Sequence, residues 1–90
     1  MTHDRSVHKE THTLLEELKG ILTAQAGLPG APITPDATLA GAGIDSMAVT
    51  VLSMHLEDRM GLVIPEKELA GVPTVHALAE LIAGRAAGTT

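Results

Sequence analysis

The stretch Gly43-Ile44-Asp45-Ser46-Met47 decides how this chain is read. Upstream of it, residues 27–43 hold Pro29, Pro32 and Pro35 together with four glycines, a composition that excludes regular structure. Downstream, Val49, Leu52, Leu56 and Met60 recur at helical spacing and form an apolar stripe. Asp45 is therefore read as the N-cap of a helix from Ser46 to Met60, with Gly61 as its stop. Ser46 then falls in the first turn, where unpaired backbone N–H groups and the helix dipole favour an anion. A hydroxyl placed there is suited to carrying a phosphate ester. A serine beside a helix cap also needs no function at all, so the surrounding layout has to separate the two readings.

Three further helices can be placed around this one. Thr13 and Glu16 match a capping box, and Leu14, Leu15, Leu18, Ile21 and Leu22 form an apolar face through about Ala26, with Gly27 as the end signal. Leu62, Val63 and Ile64 have strand propensity but no partner strand, which predicts an extended connector packed on the other helices. Pro65 pre-sets the first turn of a short helix through Glu66, Lys67, Glu68, Leu69 and Ala70, stopped by Gly71. Thr74 caps a last helix with Val75, Leu78, Leu81 and Ile82 on its apolar face, and Gly84 and Gly88 are expected to fray its end. The fold class is all-α: a small four-helix bundle, three main helices plus one short one, with a long loop between helices one and two. Ile33 and Leu39 are the loop's apolar pins, and Asp36 is expected to turn locally onto Thr38. The loop's first task is to return the chain so that the second helix can pack. Residues 1–11 read as a flexible N-terminal tail, 12–86 as the folded domain, and 87–90 as a flexible C-terminal tail.

The run Gly-x-Asp-Ser-Met, set in this order of helices, resembles the Gly-x-Asp-Ser-Leu signature of acyl carrier proteins. The similarity extends from about Thr13 to about Arg85. It implies that Ser46 receives a covalent 4′-phosphopantetheine arm from coenzyme A through a phosphopantetheinyl transferase, which supplies its own Mg²⁺. The arm's thiol would then hold acyl or aminoacyl groups as thioesters and pass them between an acyltransferase, a ketosynthase, or adenylating or ligase enzymes of an assembly line. In fatty-acid carriers the face after the serine is rich in acid, whereas here it reads Ala48, Thr50 and Val51, with acid returning only at Glu57 and Asp58. That departure points to polyketide or other secondary metabolism. An aminoacyl or peptidyl carrier is the nearest alternative, and an unmodified helical interaction module is the alternative from a different class. On the second helix Met47, Thr50, Val51, Met54 and Asp58 lie along one side, offset from the Val49/Leu52/Leu56 stripe. They are read as the docking face, with Asp58 meeting a basic residue at the rim.

Composition agrees and excludes other classes. Ninety residues suit a single small domain. With no aromatic residue, the core has to come from Leu, Ile, Val, Met and Ala, which predicts a plastic and marginal core able to admit an acyl chain. Six basic against eleven acidic residues give a formal charge of −5 without a Lys/Arg cluster, which argues against nucleic acid or an anionic membrane as partner. An acidic domain favours partners with basic patches. The lack of cysteine excludes disulfides and thiol chemistry. Met1 to Thr13 is polar and unlike a signal peptide, and no apolar run is long enough to span a membrane, so a cytoplasmic monomer is expected.

Serine catalysis fails on several grounds. A Gly-x-Ser-x-Gly run is missing, and His55 lies nine residues on, roughly 13 Å up the same helix. His76, at the opening of the last helix, is read as a solvent-facing or partly buried side chain. His3, His8 and His12 sit in a polar terminus without a completing ligand set, so no metal site is expected. Glu16 and Glu17 read as a solvated helix face, not as an acid–base pair.

Overall fold

The computed structural model describes the backbone of residues 2–88 and the side chains of 13–86. Four helices follow one another: α1 (Thr2–Ala24), α2 (Ser46–Met60), α3 (Glu66–Ala70) and α4 (Val75–Gly88). α1 packs most extensively on α4, while α2 contacts both α1 and α3. Among the described residues there is no strand, only an isolated antiparallel bridge between Thr38 and Thr74. The fold is the all-α bundle with one long crossover that the periodicities require.

α2 and α3 have the bounds read from their signals. Gly61, at φ 67°, closes α2 in the left-handed region that a side chain would strain, and its N–H reaches the carbonyls of Leu56 and Glu57. Pro65 precedes α3, and its carbonyl accepts the N–H groups of Glu68 and Leu69. Thr74 caps α4 through a 3.1 Å bond from the Ala77 N–H to its hydroxyl.

α1 and α4 differ from expectation at their ends. α1 begins at Thr2, not at Thr13, and Thr13 is an exposed residue inside the helix. No Gly or Pro interrupts the chain before Gly20, and Arg5, Lys9 and Glu10 are good helix formers, so nothing obliges the helix to start at the capping box. At the other end α1 stops at Ala24, and Gln25 and Ala26 form a turn whose N–H groups both reach the Ile21 carbonyl before Gly27 redirects the chain. α4 runs through Gly84 to Gly88 instead of fraying, because Ile82 and Ala86 on either side of Gly84 pack on the core. The side chains of His3, His8 and His12 lie outside the described residues.

The core is aliphatic, as the composition demands. Leu18 and Leu22 from α1, Val49, Leu52 and Leu56 from α2, Leu69 from α3, and Val75, Leu78 and Ile82 from α4 meet in one cluster. The connector follows its alternation: Leu62 and Ile64 are buried and Val63 faces out. No polar or charged side chain is buried among the described residues. Met47 and Met54 stand exposed on the side of α2 expected to face partners, and only Met60 departs from its expected place on the apolar stripe. Met47 and Met54 are 74% and 65% exposed, and Met60, placed on the apolar stripe by its spacing, is 39% exposed. Met60 sits in the last turn of α2, where it lines a groove between α1, α2 and α4.

Ile33 and Leu39 pin the crossover to the core as expected. Its turn is closed by Thr38, whose hydroxyl accepts the Gly41 N–H at 2.9 Å, and not by the expected contact from Asp36. The crossover also does more than return the chain. The carbonyls of Ala37 and Pro35 accept the N–H groups of Val75 and His76 at 3.0 and 2.9 Å, supplying partners for the first turn of α4 that its own helix lacks.

Leu52 is fully buried at the centre of this cluster. Leu52→Ala should lower the unfolding free energy by about 2–5 kcal/mol, the range for truncating a buried leucine. Urea titration followed by circular dichroism measures this directly. A loss below about 0.5 kcal/mol, the ordinary scatter of surface substitutions, would show that α2 faces the other way.

Candidate functional site

The N-terminal end of α2 is built from both sides. On the loop side residues 38–44 wind tightly: Ala42 N–H donates to the Thr38 carbonyl, Gly43 to Ala40 and Ile44 to Leu39, at 2.9, 3.0 and 2.8 Å. Gly43 takes φ 83°, a conformation a side chain would strain by roughly 1–2 kcal/mol. Ala42 and Ile44 are buried, so the residues just before the helix are fixed to the core. Ile44 and Val49 occupy the two positions of a hydrophobic staple, both inside the cluster, and this sets the angle at which the chain enters α2.

On the helix side Asp45 caps as its sequence position requires. Its backbone is extended (φ −92°, ψ −174°), its carboxylate accepts the Ala48 N–H at 2.9 Å, and its carbonyl accepts the Val49 N–H at 3.0 Å. The Ser46 side chain is exposed, and among the described residues no hydrogen bond engages its hydroxyl. The N–H groups of Ser46 and Met47 belong to the first turn and lie outside the intrahelical ladder. A phosphodiester on the Ser46 oxygen would therefore meet solvent, unpaired N–H groups and the positive end of the helix dipole. The residues present fit a phosphate-linked group.

The two histidines whose side chains are described stand on other parts of the bundle. His55 is half-buried about two and a half turns along α2 from Ser46, and His76 lies 3.4 Å from Glu80 on α4. Among the described residues no cluster of metal-ligating side chains occurs, and no helix is long and apolar enough to cross a membrane. Glu16 and Glu17 are both exposed on α1.

The five residues read as a docking face do share the outer side of α2. Met47, Met54 and Asp58 are exposed, while Thr50 and Val51 are half-buried. Thr50 carries an interaction that its spacing did not announce: its hydroxyl oxygen lies 2.9 Å from the Ser46 carbonyl and 2.9 Å from a carboxylate oxygen of Glu66 on α3. The groove between α1, α2 and α4, enclosing about 220 Å³ of space partly open to solvent, is lined on α2 by Leu52, Leu56 and Met60. Those residues stand about 9 to 21 Å along the helix axis from Ser46.

With this geometry in place, the comparisons with known proteins can be read. The family model described as a phosphopantetheine attachment site matches residues 16–82, which include all of α2 and α3. The chain is thus a helical phosphopantetheine-binding carrier. Its relatives narrow the class. It is 33% identical over 69 residues to an acyl carrier protein of Saccharopolyspora erythraea, covering 76% of this chain and 73% of that one. It is 38% identical over 68 residues to the acyl carrier protein MbtL of Mycolicibacterium paratuberculosis, covering 74% and 76%. It is 37% identical over 67 residues to the anthracycline acyl carrier protein DpsG of Streptomyces peucetius, covering 71% and 80%. No solved structure gives a significant match. The chain belongs to the acyl carrier protein family, and 4′-phosphopantetheine is its cofactor.

The cap is open to direct test. Asp45→Ala should lower stability by about 1 kcal/mol, within the 0.5–2 kcal/mol typical of lost N-caps, whereas Asp45→Asn should retain most of it. Unchanged stability in Asp45→Ala, measured by chemical denaturation, would mean that the carboxylate's bond to Ala48 contributes nothing.

Proposed function

We propose that Ser46 is the residue that receives the phosphopantetheine group. The observation that carries this reading is an exposed, unengaged hydroxyl in the first turn of α2, directly after the Asp45 cap, in a chain of the phosphopantetheine attachment family. A separate phosphopantetheinyl transferase joins the Ser46 oxygen to the phosphorus next to the pantetheine of coenzyme A, breaking the pyrophosphate bond, so that adenosine 3′,5′-bisphosphate leaves and the hydroxyl proton is released. Once attached, the group offers a terminal thiol that holds an acyl cargo as a thioester. The chain contributes the attachment oxygen, the anion-tolerant helix start and the surface that enzymes recognise. On this reading separate enzymes modify and load the chain, as its membership of a carrier family supports.

The partners are the acyltransferase, ketosynthase or ligase enzymes of a polyketide-type assembly line. Support comes from relatives named as anthracycline acyl carrier proteins and from the apolar character of the outer face of α2. A partner with an apolar patch buries Met47, Val51 and Met54, and a basic residue at its rim meets Asp58. Two methionines more than half exposed are more apolar surface than a solvated helix needs, and their flexible side chains suit contacts with several enzymes in turn. The protein works as a monomer in the cytoplasm.

Two measurements test this reading. Incubating the chain with coenzyme A and a broad-specificity phosphopantetheinyl transferase should add one phosphopantetheinyl increment to the intact mass, and Ser46→Ala should abolish it while leaving the circular dichroism unchanged. An unmodified wild-type chain would favour a helical interaction module instead. For the docking face, Val51→Glu and Met54→Glu should each lower acyl transfer to a cognate enzyme at least about tenfold, as expected when a side chain worth more than 1.4 kcal/mol is lost from an interface, with the fold intact. Unfolding of both variants would assign those residues to the core, and normal transfer by both would place docking elsewhere.

A further inference from the structure

α3 is five residues long, and a helix that short has almost no stability of its own. Within it only Leu69 is buried, and three polar contacts tie the helix and the residues just ahead of it to α2 and α4. Glu68 pairs with Arg85 of α4. The Ser53 hydroxyl of α2 reaches the Ile64 carbonyl at 3.4 Å, just ahead of α3. The Glu66 carboxylate, on the first residue of α3, reaches the Thr50 hydroxyl of α2, which in turn lies against the Ser46 carbonyl. Glu66, Thr50 and Ser46 thus form a continuous chain from α3 to the helix start that carries the modified serine.

The chemistry of this chain of contacts is asymmetric. The Thr50 hydroxyl has one proton and two neighbouring acceptors, each at 2.9 Å, and the charged carboxylate is the stronger of the two. With α3 in place the proton is held mainly by Glu66. With α3 displaced it turns back onto the Ser46 carbonyl, a common arrangement for a threonine inside a helix. The hydroxyl is therefore satisfied in both arrangements, and separating α3 from α2 forfeits only the difference between two hydrogen bonds. Such a contact holds a preferred position without making it permanent.

We propose that Glu66, acting through the Thr50 hydroxyl, is a positioning residue for the Ser46 end of α2: it holds α3 beside the modified serine, so that a modifying enzyme meets α2 and α3 as one preformed surface. This rests on Ser46 being the attachment residue. It predicts that loss of the contact weakens productive encounter, not the chemical step, because no atom of Glu66 or Thr50 touches the reacting oxygen.

The test uses the full chain and the variants Glu66→Ala, Glu66→Gln, Thr50→Val and the double variant Thr50→Val/Glu66→Ala. In the unmodified protein, ¹⁵N order parameters of residues 66–70 should fall in Glu66→Ala and Thr50→Val. They should stay near the wild-type value in Glu66→Gln, whose amide oxygen still accepts from Thr50. In phosphopantetheinylation assays the KM for the carrier should rise about two- to tenfold in Glu66→Ala and Thr50→Val with kcat held, the scale of the difference between a charge-assisted and a neutral hydrogen bond. The double variant should be no worse than either single one, since both remove the same contact. Unchanged order parameters, fully additive effects, or a Glu66→Gln as impaired as Glu66→Ala would overturn the proposal. An unmodifiable wild-type chain would sink the attachment of the group to Ser46, and the order parameters would then still decide whether Glu66 holds α3.

Discussion

The start of α2 is the constraint on which the rest of the structure depends. Gly43 turns the chain through a left-handed residue, Ile44 anchors it in the core, and the Asp45 carboxylate takes the Ala48 N–H. Together they fix both where the helix begins and how it is rotated about its axis. That rotation sends Val49, Leu52 and Leu56 into the cluster and leaves Ser46, Met47 and Met54 in solvent. A helix started one residue later would turn each side chain by about 100°, enough to exchange core and surface positions. The same few bonds therefore organise the interior and present the serine.

The remainder of the bundle supports this one end. The crossover is pinned by Ile33 and Leu39 and hands its carbonyls from Pro35 and Ala37 to the first turn of α4. In return α4 holds the loop that leads to Gly43. The chain has no aromatic residue and, among the described residues, no buried polar side chain, so cohesion there comes from aliphatic contact, without buried polar bonds to impose a unique arrangement. Such a core yields at modest cost, which suits a carrier that meets several enzymes with one surface.

How much could be read from the chain depends on the range of the interaction concerned. Caps and stripes are local: Asp45, Thr74, Pro65 and Gly61 and the Val49/Leu52/Leu56 spacing gave α2, α3 and the opening of α4 their observed positions. The staple at Ile44 and Val49 was equally local and open to reading from the same pattern. Contacts between distant segments left no mark in the spacing. Neither the bond from Thr50 to Glu66 nor the crossover's bonds to Val75 and His76 follows from residue type, because a threonine or a carbonyl can be satisfied in many ways. Two local readings also failed for physical reasons. A capping box at Thr13 is only an available start, and good helix formers upstream carried α1 past it. Met60 continues the Val49/Leu52/Leu56 spacing, yet it closes the last turn of α2 and is 39% exposed.

The central claim is that the geometry of the α2 start selects one hydroxyl out of several nearby. Thr50 and Ser53 lie on the same helix, and their hydroxyls are engaged with Glu66 and with the Ile64 carbonyl, whereas that of Ser46 is not. Site mapping by tandem mass spectrometry of the enzymatically modified full chain tests this most directly. The account predicts that every fragment bearing the phosphopantetheinyl mass contains Ser46 and that the group is localised to that residue alone. Localisation to Thr50, Ser53 or any other hydroxyl would contradict it.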